Sequence, residues 1–218
     1  MGLPVMIMGR SGSGKTYSLK NFKPNEVGII SVEKGRLPFR SELKTVKIPA
    51  FNTEDMKSYA QVNAAKYSWI QMAIQKSQAK SIVIDDSQYL LVNELFDRSK
   101  ETGYTKFTDM AANFRNLIHF VNELDDDEKI VYFLHHTEAD TDGREKAKTI
   151  GKMLDEKLTV EGCFDIVLYC SDHKFYTQSN GQSSAKTPDE MFPSLEIPND
   201  LKMVDETIRK YYGMGEDK

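Results

Sequence analysis

Residues Gly9-Arg10-Ser11-Gly12-Ser13-Gly14-Lys15-Thr16 satisfy the pattern G-x-x-x-x-G-K-[ST]. The apolar run Val5-Met6-Ile7-Met8 stands directly before them, and a helix-compatible stretch from Thr16 to about Phe22 follows. Strand, glycine loop and helix in that order are the setting a phosphate-cradling P-loop needs. The glycines let successive backbone N–H groups converge on phosphate oxygens, and a helix N-terminus adds a favourable dipole. Lys15 is placed to reach the β- and γ-phosphates, and Thr16 to set its hydroxyl on Mg²⁺. The motif predicts a nucleoside triphosphate as ligand.

The length of 218 residues suits one domain, 1–218, with a core of ordinary size. Hydrophobic residues at 39% and charged residues at 28% fit a globular chain rather than a disordered or membrane-embedded one. No apolar run approaches the roughly 20 residues of a spanning helix. The N-terminus lacks the basic stretch and cleavage site of a signal peptide. Met1-Gly2 does not begin a myristoylation motif, because Met6 stands where Ser or Thr is required. Two cysteines, Cys163 and Cys170, make neither a disulfide framework nor a zinc site, and are expected as core thiols on one strand. These totals predict a cytoplasmic protein with no membrane contact. At a net charge of −4, any nucleic-acid contact must come from a local basic patch.

Apolar runs alternate with helical patterns along the chain. Strands are expected at Val27–Val32, Thr45–Ile48, Ser81–Asp86, Ile130–Leu134 and Phe164–Cys170. Helices are expected from Thr53, as N-cap, to about Gln78, with Trp69, Ile70, Ala73 and Ile74 on one face, and from Gln88 to Asp97. A polar loop covers Arg98–Thr108, and Asp109 caps a helix running to about Leu124. Thr137 to about Leu158 reads as a polar segment. His173–Gln178 and Ser184–Lys186, separated by Asn180-Gly181, read as a terminal hairpin, before a last helix Leu201–Tyr212. This alternation predicts an α/β fold with a mostly parallel central sheet covered on both faces, a three-layer P-loop NTPase.

Ligands of such sheets bind beyond the carboxyl ends of the strands. Glu33, Asp85, Asp86 and His135-His136 each follow a strand, so the rule gathers them beside the P-loop. Ser81-Ile82-Val83-Ile84-Asp85 has the form of a Walker B strand, which places Asp85 opposite Thr16 as the second Mg²⁺-holding residue. Glu33 and Asp86 compete for the carboxylate that orients the attacking water; Glu33 is favoured for its reach. Neighbouring residues of a strand point to opposite faces, so one histidine at most faces the phosphates. His136 is chosen as that γ-phosphate sensor.

No N-K-x-D guanine motif, L-S-G-G-Q signature or arginine-rich lid occurs, and only one helix follows the last strand where an AAA+ loader would carry a helical lid. What remains is a RecA-like core with a C-terminal β-hairpin plus helix. The GRSGSGKT loop, the strand IISVEKG, the SIVIDDSQ and YFLHHTE strands, Gly151-Lys152 with FDIVLYC, and the segment ending Ser184-Ala185-Lys186-Thr187-Pro188 together resemble a family. It is that of the compact RecA-like ATPases of bacteriophages, grouped with Sak4-type single-strand annealing proteins. The resemblance implies an Mg²⁺-dependent ATPase in phage DNA recombination or replication, acting in an infected bacterial cell beside single-stranded-DNA-binding proteins. It implies Glu33 as catalytic base, His136 as sensor, and a homo-oligomer with nucleotide between subunits, Lys186 reaching across. It also differs from the RecA pattern in having no polymerisation segment before the P-loop.

Candidate DNA contacts lie in two polar stretches. One holds Arg98, Lys100, Tyr104, Lys106 and Phe107, mixing cations with aromatics as single-strand binders do; the other holds Arg144, Lys146, Lys148 and Lys152. Two other functions fit the same motifs: a nucleotide-dependent assembly or helicase-loading factor with a protein partner, and a small-molecule kinase.

Overall fold

The structure, a computed structural model, describes residues 1–33, 35–151, 155, 158–179 and 181–215. Lys34, Lys152 and Asn180, which figure in the sequence-based expectations, lie outside these residues.

The chain opens on strand β1 (Leu3–Gly9), turns through the glycine loop and enters a 3₁₀ helix, Thr16–Asn21. Strands β2 (Val27–Ser31) and β3 (Thr45–Lys47) come next, then helices α1 (Thr53–Met56) and α2 (Tyr59–Lys76). β4 (Ser81–Asp85) leads into α3 (Gln88–Asp97) and α4 (Thr105–Asn122). β5 (Ile130–Ala139) and β6 (Glu145–Ala147) form a hairpin, and a short 3₁₀ turn, Val160–Cys163, precedes β7 (Ile166–Ser171). β8 (Lys174–Tyr176), β9 (Glu196–Pro198) and helix α5 (Leu201–Tyr212) complete the described chain.

The sheet runs β3-β2-β4-β5-β1-β7-β8-β9, with β6 paired to β5. Its centre is parallel and its β7-β8-β9 edge antiparallel. One strand, β5, separates β1 from β4, so the glycine loop and the carboxylates after β4 flank it at the same edge. Side chains alternate across the pleat. Met6 and Met8 of β1 therefore face Ile70, Phe114, Leu117 and Ile118 of α2 and α4. Val5 and Ile7 face Leu19, Leu201, Val204 and Ile208 on the other side. Both faces are covered, which explains why the central strands read as continuous apolar runs. The expected three-layer α/β arrangement is observed.

Several boundaries differ from expectation for local reasons. The helix expected from Thr53 to Gln78 is two: Lys57 takes φ 61°, breaking it, and Asn52 and Ser58, rather than Thr53, supply the N-caps. α4 begins four residues before Asp109, whose carboxylate binds Arg98 instead of capping the helix. β5 does not stop at Leu134 but runs through both histidines, since β1 pairs with it as far as His136 and β6 beyond. The antiparallel hairpin is β7–β8, closed at Asp172 and His173 with φ 49° and 56°, not a pairing across Asn180-Gly181. Lys186 instead bridges to Val167. Cys163 sits in the 3₁₀ turn and Cys170 on β7, so they do not share a strand, and both are free thiols.

A candidate nucleotide site

Gly9 ends β1 where no side chain fits: a Cβ there would run into the Cys170 carbonyl oxygen, and would stand 2.7 Å from Ser13 Oγ. At Gly14 the constraint is double. Its φ of 108° is strained for any L side chain, and a Cβ would strike the Asn199 amide and stand 2.8 Å from His173 Nδ1. Glycine thus lets the loop curl while two further segments close on it. His173 donates its backbone N–H to Ser13 O at 3.1 Å, and Asn199 donates through Nδ2 to Gly14 O at 3.2 Å. The helix after the loop is a six-residue 3₁₀ helix rather than a longer α-helix, so the expected dipole is small and loop N–H groups are the principal anion donors.

Lys15 is buried, its Nζ donating to Gly9 O at 2.6 Å and Arg10 O at 2.9 Å. Thr16 Oγ1 donates to Asp85 Oδ1 at 2.8 Å, joining the loop to the end of β4. Burial is the largest influence on the Asp85 carboxyl and raises its pKa to about 6; the Thr16 hydrogen bond opposes this, and Asp86 adds to it. A hard cation would favour the ionised form of this hydroxyl–carboxylate pair. The pair thus fits Mg²⁺, which takes oxygen ligands and completes its shell with water and phosphate. No cluster of three or more His, Cys, Asp or Glu arranged for a metal occurs among the described residues.

Asp86 adopts φ 62°, which turns the chain sharply after β4 and into α3. Its Oδ1 lies 3.0 Å from His136 Nε2, and Tyr89 meets the His136 ring edge-on at 5.8 Å between centroids. His135 points away, as alternation requires, and is fully buried. Its Nε2 lies 2.9 Å from Lys148 O and its Nδ1 3.0 Å from Ser87 Oγ. A carbonyl only accepts, so Nε2 carries the ring proton and Nδ1 accepts from Ser87. Burial drives the His135 pKa down to about 4, keeping the ring neutral. The two histidines therefore share no metal.

A cavity of about 480 Å³ lies over the loop, lined by Lys15, Thr16, Asp85, Asp86 and His136 together with Ser11, Gly12 and Gly14. Tyr17, Arg36, Pro38 and His173 complete its described lining. Glu33 is not among these residues. It is exposed, and its Oε1 accepts from Asn93 Nδ2 of α3 at 2.7 Å. Of the two competing carboxylates the fold brings Asp86, not Glu33, into the cavity. His173, Tyr17, Arg36 and Asn199 escaped the sequence reading, since none belongs to the glycine pattern and no motif marks the turns that follow β2, β7 and β9. Only the folding back of the β7–β8 turn and the β9 end brings His173 and Asn199 to the loop.

Three of the candidate DNA cations are engaged within the protein. Arg98 is buried and binds Glu94 at 3.0 Å, Asp109 at 2.8 Å and Glu101 at 2.8 Å. Lys106 Nζ donates to Glu101 O at 2.6 Å and Arg98 O at 3.2 Å. Lys146 is paired with Asp155 at 2.6 Å. These three side chains serve as ties within the protein. Lys100, Tyr104, Arg144, Lys148 and Lys186 are exposed. Arg10, second in the loop, donates through Nε to Glu145 of β6 at 2.7 Å. Burial, the largest single influence, raises the Glu145 carboxyl, but the Arg10 hydrogen bond and charge together with the Thr137 hydroxyl bring it below its ordinary pKa.

No helix is long and apolar enough to cross a membrane among the described residues. A solved structure of a prototypical ATPase from the type III secretion system of pathogenic bacteria is similar at a TM-score of 0.44 and 12% identity. The similarity covers 96% of this chain and 61% of that one, so the chain spans less than two thirds of that protein. No curated protein matches the sequence. The AAA domain family model matches residues 1–188, glycine loop, β4 carboxylates and β5 histidines included, and the chain belongs to that family of P-loop ATPase domains.

Proposed function

We propose that the protein is an Mg²⁺-dependent ATPase. The observation that carries this reading is the convergence of Lys15, Thr16, Asp85, Asp86 and His136 on one cavity. In it, the loop backbone and Lys15 hold the phosphates, and Thr16 and Asp85 hold Mg²⁺. The cation, when bound, neutralises charge on the β- and γ-phosphate oxygens. Asp86 orients the attacking water and accepts its proton, with His136 fixing the carboxylate from the other side. Asp86 takes this role over Glu33 because it lines the cavity and Glu33 does not. The experiment is phosphate release from ATP with and without Mg²⁺, in the wild type and Asp86→Asn.

We further propose that turnover is spent on single-stranded DNA in phage recombination or replication, in an assembly with nucleotide at subunit interfaces. Lys148 supports this reading because it is exposed beside the sensor: with Arg10, Tyr89 and His136 it lines a cleft of about 370 Å³. Lys100 and Arg144 are further exposed cations. Affinity for single-stranded DNA that falls with salt, and falls again in Lys148→Ala and Arg144→Ala, is the expected result. The second reading is a nucleotide-driven assembly or helicase-loading factor acting on a protein. It draws on the internal pairing of Arg98, Lys106 and Lys146, which leaves fewer cations for DNA. ATP turnover unchanged by DNA would favour it.

A further inference from the structure

The phosphate cavity has two ends of different chemistry. At one end stand Asp86 and His136, and the space continues into the cleft with Arg10 and Lys148. At the other, Tyr17 and His173 line both the phosphate cavity and a second, open cleft of about 800 Å³. With the hydrolytic groups at the first end, the nucleoside must leave the loop by the second.

The walls of that second cleft suit a heteroaromatic ring. The Tyr17 and His173 rings meet edge-to-face, 5.3 Å between centroids at 89°, and Phe39 braces Tyr17 from another side at 6.1 Å. Lys20 Nζ lies 4.6 Å from the Tyr17 ring centroid. The rim is polar: Asn21 Nδ2 donates to Asp200 Oδ2 at 2.6 Å, and the other Asp200 oxygen caps α5. This wall is fastened to the phosphate loop itself by the His173 N–H to Ser13 O and Asn199 to Gly14 O bonds. A ligand reaching from one cavity to the other would meet a preformed surface at each end.

We propose that the cleft between the 3₁₀ helix, the β7–β8 turn and the end of β9 is the nucleoside subsite. The base packs on Tyr17 and His173, and the ribose lies toward Asn21 and Asp200. This rests on the phosphate reading above. Recognition through ring faces is tolerant of base identity, because every base presents a π-face. The subsite therefore adds affinity for nucleosides over bare phosphate without selecting one base sharply.

Titration of ATP and of inorganic tripolyphosphate, both with Mg²⁺, separates the two ends. The wild type is expected to bind ATP more tightly than tripolyphosphate. Tyr17→Ala with His173→Ala should weaken ATP about ten- to a hundredfold and weaken tripolyphosphate by much less. Tyr17→Leu, which keeps apolar bulk against Phe39, should weaken ATP in the same direction and guards against loss of fold. Equal losses for both ligands, no loss for either, or a wild type that binds ATP no better than tripolyphosphate would overturn the subsite. A wild type that binds neither would overturn the phosphate reading with it.

Discussion

His136 Nε2 stands 3.0 Å from Asp86 Oδ1, joining the residue after the Walker B aspartate to the strand between it and the glycine loop. A carboxylate held this way is aimed as well as placed. Asp86→Asn keeps the shape but cannot accept a proton. It is expected to lower ATP turnover about a hundredfold or more while retaining ATP binding. Glu33→Gln, outside the cavity, should turn over at the wild-type rate; single-turnover phosphate release compares the two.

His135 predicts a pH dependence of stability. Its folded pKa of about 4 lies below the ordinary 6.5. Above pH 6.5 the ring is neutral in both states and the contribution is fully present. As pH falls toward 4 the unfolded chain gains a proton that the native ring refuses, so stability is lost across that window. The loss approaches about 3 kcal/mol. Urea denaturation at pH 7 and pH 4.5 should show a larger drop for the wild type than for His135→Gln.

Gly14→Ala combines a strained φ of 108° with contact on Asn199 and His173. Strain alone should cost about 1–3 kcal/mol. Because the same contacts shape the phosphate loop, ATP affinity should fall in the same variant, read by thermal melting and by titration.

Arg98→Ala tests the distinction between a structural cation and a DNA contact. It leaves Glu94 buried without its guanidinium, in a carboxyl that burial already pushes up. Loss of about 3–5 kcal/mol of stability is expected. Any DNA affinity measured at a temperature where the variant is folded should stay at the wild-type level.

The central architecture was legible because its physics is local. Alternation in a doubly covered parallel sheet gives apolar runs, and the glycine loop and Asp85 sit at strand ends that the sequence itself marks. Strands β2 and β4, helix α3 and the last helix fall close to their expected positions. What depends on distant partners was not legible. Arg98 reads as a free surface cation until α4 brings Asp109 beside it, and Glu33 reads as a catalytic acid until α3 brings Asn93 to its carboxylate outside the cavity. The β7–β8 turn escaped because Asp172-His173 takes positive φ without glycine. Setting an AAA-type domain aside for want of a helical lid is overturned by the family match over residues 1–188: a single helix follows β9 among the described residues, and the match does not depend on it.

The central claim is that Gly9–Thr16 and Asp85 bind and turn over a nucleoside triphosphate with Mg²⁺. Its most direct test is ATP titration and phosphate release for the wild type and Lys15→Ala, each with Mg²⁺ and with chelator. Mg²⁺-dependent binding and phosphate release in the wild type, both lost in Lys15→Ala, is the predicted result. A folded wild type that binds no ATP with Mg²⁺, or a Lys15→Ala variant that binds and hydrolyses it equally well, would contradict it.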